Sequence, residues 1–224
     1  MTTEFKIAPS ILSADFARLG EEVENVIAAG ADFVHFDVMD NHYVPNLTFG
    51  PVICESLRNF GIEAPIDVHL MVQPVDRLIA DFAKAGATYI TFHPEASEDI
   101  ASTIELIRSH DCIPGLAINP PTPLNYVEEY LDQIEIITMM SVNPGFGGQK
   151  YLPSQESKIT KLKETITEFE YEIDIEIDGG INEGTIAQAT AAGANIFVAG
   201  SAIFNHPDGP STSIAALREI AEKS

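Results

Sequence analysis

With 224 residues and 45% hydrophobic content, the chain is long enough to bury a full core and short enough to form one domain. Its 34 acidic against 12 basic residues give a net charge of −22, which repels nucleic-acid phosphates and anionic membranes and argues against both as partners. Neither a basic–apolar N-terminal signal nor an apolar run of about 18 residues is present, so a cytoplasmic location is expected, or the plastid stroma if a transit peptide has been removed. Cys54 and Cys112 are too few and too far apart for a disulfide framework or a thiolate zinc site, and they read as buried thiols.

Eight β-rich runs follow one another along the chain: KIAPSIL (6–12), FVHFDVMD (33–40), PIDVHLMV (65–72), TYITFHP (88–94), IPGLAIN (113–119), EIITMMSV (135–142), IEIDGGI (175–181) and IFVAGSAIF (196–204). Helical stretches separate them, such as ADFARLGEEVENVIAAG, in which Phe16, Leu19, Val23, Val26 and Ile27 recur at helical spacing and Gly30 supplies the C-cap. A weak repeat punctuates the pattern, with AAGAD, KAGAT and AAGAN each putting glycine between helix and strand. The alternation predicts a single α/β domain over residues 1–224, a (β/α)₈ barrel of the TIM type, with an open doubly wound sheet as the alternative.

Parallel strands are normally apolar on both faces, and three of these runs are not. In the second, Val34, Phe36 and Val38 form one face while His35, Asp37 and Met39 form the other. The third sets Ile66, Val68 and Leu70 against Asp67, His69 and Met71, and the seventh sets Ile175 and Ile177 against Glu176 and Asp178. In a barrel the apolar faces meet the outer helices, so the polar faces point inward and toward the catalytic mouth. His35, Asp37, His69 and Asp178 then converge, and their nitrogen and oxygen donors suit one divalent ion such as zinc, iron or manganese. An isolated strand histidine is more often a hydrogen-bonded core residue, but three matching polar faces favour the ion. Met39, Met71 and Met140 read either as gap-fillers or as a polarizable lining for an electron-rich intermediate.

A glycine-rich set lies late in the chain: NPGFGGQ (143–149), DGGIN (178–182) and AGS (199–201). All three follow predicted strands, where barrels often bind phosphate through backbone amides, so together they predict a phosphate site. The absence of a GxxxxGK[ST] loop excludes a P-loop nucleotide site.

These motifs resemble the ribulose-phosphate 3-epimerase family over essentially the whole chain. The markers are APSILSADF (8–16), HFDVMDNHYVPNLTFGP (35–51), DVHLMV, SVNPGFGGQK, EIDGGIN and AGSAIF, in that order. The resemblance implies a barrel that interconverts D-ribulose 5-phosphate and D-xylulose 5-phosphate, with one divalent metal per subunit held by His35, Asp37, His69 and Asp178. It makes Asp37 and Asp178 the acid–base pair and puts Ser10 and His69 at the sugar. Around the phosphate it puts Gly145, Phe146, Gly147, Gly148, Gly179, Gly180, Gly200 and Ser201. A homo-oligomer, dimer or hexamer, is also implied, as is a role in the pentose phosphate pathway or the Calvin cycle. The residues accept zinc, iron, manganese or cobalt alike. One departure is Asn41, where glycine is expected after VMD; asparagine tolerates a left-handed backbone, so the turn should survive.

The chemistry also fits the residues directly. Removing a proton beside a ketone creates an enediolate whose charge a metal can neutralise, and inversion needs a proton-transfer group on each side of the carbon, a task that Asp37 and Asp178 from non-adjacent strands suit. Three rivals are an epimerase for a six-carbon ketose phosphate such as allulose 6-phosphate, a phosphate-binding aldolase-type synthase or decarboxylase, and a non-catalytic binding protein. The second needs an inward lysine that none of the eight runs offers, since Lys6 lies at the start of the first strand.

Overall fold

The computed structural model describes residues 4–224. Eight parallel strands alternate with helices: β1 (Lys6–Pro9), α1 (Leu19–Ala28), β2 (Val34–Met39), α2 (Pro51–Phe60), β3 (Ile66–Met71), α3 (Asp76–Ala85), β4 (Tyr89–Phe92), α4 (Ile100–Ser109), β5 (Ile113–Ile118) and β6 (Ile136–Met140). The remainder comprises α5 (Glu156–Glu168), β7 (Asp174–Asp178), α6 (Ile186–Ala192), β8 (Ile196–Ala199), α7 (Ser201–Phe204) and α8 (Pro210–Glu222). Hydrogen-bonded ladders run in the order β1-β8-β7-β6-β5-β4-β3-β2. The remaining seam is bridged by the parallel pair Ser10–His35, by the Asp32 N–H donating to the Ile7 carbonyl at 2.9 Å, and by the Ile7 N–H donating to Asp32 Oδ2 at 2.7 Å. The architecture is a (β/α)₈ barrel.

Alternation along the strands sorts the side chains as expected. Val34, Phe36, Val38, Ile66, Val68, Leu70, Ile175 and Ile177 are all buried in the layer between strands and helices. Gly30, Gly86 and Gly193, the three glycines of the repeat, adopt φ of 97°, 103° and 118°, so each ends its helix in the left-handed conformation that releases the chain into the next strand.

Three expectations are corrected. The predicted runs overshoot, because the strands end at Pro9, Phe92, Asp178 and Ala199, and a short 3₁₀ or helical turn follows three of those ends while Gly179, at φ 118°, follows Asp178. Phe16 is not part of the α1 face: it sits in a 3₁₀ turn, 45% exposed, against Phe49. Between β5 and β6 a 3₁₀ segment (Glu128–Gln133) stands where the alternation calls for a helix, after a stretch in which Pro120, Pro121 and Pro123 remove amide donors. No helix of the described residues is long and apolar enough to cross a membrane.

Candidate active site

His35 and Asp37 on β2, Asp67 and His69 on β3, and Glu176 and Asp178 on β7 each stand two residues apart, so both members of a pair face the barrel interior. Parallel register sets His35 opposite Asp67, and Asp37 opposite His69. Asp37 Oδ1 lies 3.5 Å from His35 Nε2 and 3.4 Å from His69 Nδ1, while Asp178 Oδ2 lies 3.6 Å from the same His69 nitrogen. Those separations are long for hydrogen bonds, and both ring nitrogens are buried without a hydrogen-bond partner. One donor atom from each of the four residues falls within 4.8 Å of the others. Tetrahedral coordination at about 2.1 Å separates its donors by roughly 3.4 Å, so the two orphaned nitrogens and the carboxylate oxygens fit a divalent ion.

Charge in this cluster is mutually sustained. Burial pushes the Asp37 carboxyl up, yet the adjacent His35 and His69 outweigh it and hold Asp37 well below the usual carboxylate range. Burial likewise lowers His35, but the carboxylates of Glu176, Asp37 and Asp67 raise it well above an ordinary imidazole. His69 is raised against its own burial by Asp178 and Asp37. Imidazoles raised in this way beside carboxyl groups are a proton-filled version of a metal site, since an ion can replace the imidazole protons.

Three further residues enclose the cluster: Asp67 and Glu176, which strand alternation puts on the inward faces without a role, and His93, which was not singled out from the sequence. Asp67 Oδ2 lies 2.7 Å from His35 Nδ1, and Glu176 accepts from the Thr138 hydroxyl at 2.7 Å. Burial and then the neighbouring Asp67 push the Glu176 carboxyl well above its usual range. His93 Nε2 lies 2.9 Å from His69 Nε2, and burial together with His69 holds His93 well below the imidazole range. Asp67 and Glu176 are legible as i, i+2 companions of His69 and Asp178, and His93, just past β4, stands two residues after the buried Thr91 in the run TYITFHP.

Above the cluster opens a cavity of about 670 Å³ at the C-terminal ends of the strands. Ser10, Asp37, Asp178, Met39, Met71 and Met140 line its floor and walls. Gly145, Phe146, Gly147 and Gly148 come from the loop after β6, Gly179 and Gly180 from the loop after β7, and Gly200 and Ser201 from the start of α7, and all eight line the same cavity. A Cβ on Gly180 would stand 2.4 Å from the Tyr151 backbone nitrogen, so that position requires a bare backbone, while one on Gly200 would meet the Ser13 hydroxyl at 2.6 Å. Among the described residues Lys150 is the cavity's sole cationic lining residue, another group not singled out from the sequence. His35 and His69 are fully buried beneath it.

The loop after β2 frames the opening. Asn41 adopts φ 58°, the left-handed turn expected of it. Asp40 anchors that turn by accepting from the N–H groups of His42, Tyr43 and Gln73, each at 2.8 Å. Asn46 Nδ2 donates to the Gly145 carbonyl at 3.0 Å, which ties this loop to the glycine-rich one. Lys6 is not inward chemistry: its amine pairs with Asp174 at 2.8 Å at the N-terminal ends of the strands.

Fold and site together define a β/α-barrel enzyme whose polar cluster and cavity share the C-terminal ends of the strands. Residues 6–204 match the model of the ribulose-phosphate 3 epimerase family. The ribulose-phosphate 3-epimerase of Serratia marcescens is 61% identical over 205 residues, covering 92% of this chain and 98% of that protein. That of Escherichia coli K12 is 58% identical, covering 92% and 91%. The chain belongs to the ribulose-phosphate 3-epimerase family and is an isomerase. A solved 3-keto-L-gulonate-6-phosphate decarboxylase from Vibrio cholerae superposes with a TM-score of 0.72 over 99% of both chains at 16% identity, a likeness of fold alone.

Proposed function

We propose that the whole chain acts as one catalytic domain that inverts carbon 3 of a ketose phosphate, interconverting D-ribulose 5-phosphate and D-xylulose 5-phosphate. The observation that carries the reading is the approach of Asp37 and Asp178, from non-adjacent strands, to one His69 nitrogen at 3.4 and 3.6 Å at the foot of the cavity. A substrate carbon between the two carboxyl groups loses its proton to one and regains a proton from the other on the opposite face. Ser10, donating to Asp37 Oδ2 at 2.5 Å, orients that carboxylate. His35, Asp37, His69 and Asp178 hold one divalent ion, which can be zinc, iron, manganese or cobalt. When bound, the ion supplies Lewis-acid neutralisation of the negative charge that proton removal leaves on the sugar oxygens.

Met39, Met71 and Met140 exclude water from the reacting carbon, and the glycines of the last three loops receive the phosphate through backbone amides. The N–H groups of Gly180 and Gly200 donate to no other group of the described residues and so are available to an anion. Purified protein should interconvert the two pentulose phosphates at a kcat/KM well above its value for allulose 6-phosphate, and chelation should abolish turnover while leaving the barrel folded. Preference for the six-carbon sugar, or full turnover in metal-free protein, would refute the corresponding part of the reading.

A further inference from the structure

We infer that Asp67 and His93 are positioning residues that present His35 and His69 to the divalent ion through opposite ring nitrogens, Nε2 of His35 and Nδ1 of His69. The inference rests on the metal reading above and assigns the outer partners that fix it. A neutral imidazole offers a lone pair at one nitrogen only when its proton sits on the other. His35 Nδ1 is 2.7 Å from Asp67 Oδ2, so once an ion takes the place of the proton at Nε2 the remaining imidazole proton sits at Nδ1 against that oxygen, and Nε2, facing Asp37, is the nitrogen presented. Glu176 is the competing acceptor, but its Oε2 is 3.7 Å from the same nitrogen and its other oxygen is taken by Thr138.

His69 is arranged the other way round. Its Nε2 lies 2.9 Å from His93 Nε2, so a proton on His69 Nε2 is accepted by His93 and leaves His69 Nδ1 open toward Asp37 and Asp178. His93 is fully buried and packs on Tyr43 with ring centroids 5.1 Å apart, and the Tyr43 hydroxyl accepts from Asn119 at 2.8 Å. Asp67 is equally buried and is fixed by its register opposite His35. One histidine therefore has a carboxyl group as its outer partner and the other an imidazole. The same contact argues against a separate metal site in the group His35, Asp67 and Glu176, because the imidazole nitrogen that faces it, Nδ1, lies 2.7 Å from Asp67 Oδ2.

Zinc affinity, measured by competition with a chromophoric chelator, tests the assignment without relying on turnover. Asp67→Asn and His93→Phe should each weaken zinc binding by about ten- to a hundredfold with the far-UV spectrum retained, while His93→Gln, whose carbonyl can accept the same bond, should recover most of the loss. Folded variants with wild-type zinc affinity would overturn the inference alone; wild-type protein that binds no divalent ion would overturn the metal reading as well. If a variant fails to fold, ¹⁵N-histidine NMR of the zinc-loaded wild-type protein decides. A proton on Nδ1 of His35 and on Nε2 of His69 supports the assignment, and either proton on the other nitrogen refutes it.

Discussion

The Ser10 hydroxyl donates to Asp37 Oδ2 at 2.5 Å, while Oδ1 of the same carboxylate faces His35 and His69 at 3.5 and 3.4 Å. The two oxygens thus have separate surroundings, one beside the histidines and one beside a hydroxyl that lines the cavity. Ser10→Ala should leave metal content unchanged and lower kcat about ten- to a hundredfold, the effect of removing a hydrogen bond to a charged group. Metal analysis beside steady-state kinetics checks it. Loss of metal with the hydroxyl would show that Ser10 acts through the coordinating oxygen instead.

Backbone approach at the phosphate end gives a graded test. Gly180, at φ 69°, has no space for a Cβ against the Tyr151 backbone, and one at Gly200 would meet the Ser13 hydroxyl at 2.6 Å, whereas a Cβ at Gly147 would meet only Leu12, at 3.7 Å. Gly180→Val and Gly200→Val should raise KM sharply or stop turnover, and Gly147→Ala should change it little. Free ribulose should be a poor substrate. Equal kcat/KM for free and phosphorylated sugar would remove the phosphate site.

Lys150 opposes an overall field set by a net charge of −22. Lys150→Met should raise KM roughly two- to fivefold at low salt with kcat unchanged, the scale of one exposed charge contact. In that variant moderate sodium chloride should lower KM, because only the repulsive field is left to screen. A wild-type KM in the variant at low salt would exclude Lys150 from capture.

Metal binding should depend on pH. Because His35 and His69 are raised above the ordinary imidazole range in the metal-free protein, they hold protons near neutrality that an incoming ion must displace. Apparent affinity should therefore rise with pH across about 6 to 8, with roughly one to two protons released per ion. Asp37, held low by the same histidines, adds no proton in that window. Calorimetry in buffers of different ionisation enthalpy counts the protons; none released would contradict the account.

Legibility in the sequence tracked how local each signal is. The faces His35/Asp37, Asp67/His69 and Glu176/Asp178 follow from strand alternation alone, so their inward direction could be read directly. The glycines that end α1, α3 and α6 were legible for the same reason, since a left-handed cap is a one-residue signal. His93 shares the inward phase of Thr91, but its pairing with His69, 24 residues away, comes only from the packing of β3 on β4. Lys150 was hidden by the loop that carries it, as only the folded course of residues 143–150 turns it to the cavity. The missing helix before β6 is foreshadowed by Pro120, Pro121 and Pro123, a local signal that the eightfold alternation does not carry.

The two-carboxylate mechanism is the centre of the account, and it gives Asp37 and Asp178 equal weight. Asp37→Asn and Asp178→Asn should each lower kcat by about a thousandfold, as expected for a proton-transfer group that is also a metal ligand. A variant that keeps its metal and one working carboxylate should exchange the carbon 3 proton of one epimer without completing inversion. The most direct measurement is the wild-type reaction in D₂O, in which different groups accept and donate the proton and each exchanges with solvent between turnovers. Xylulose 5-phosphate formed from ordinary ribulose 5-phosphate should then carry deuterium at carbon 3 from the first turnover. Quantitative retention of the original hydrogen would require a single shuttling group or a hydride route, and would contradict the assignment of both aspartates.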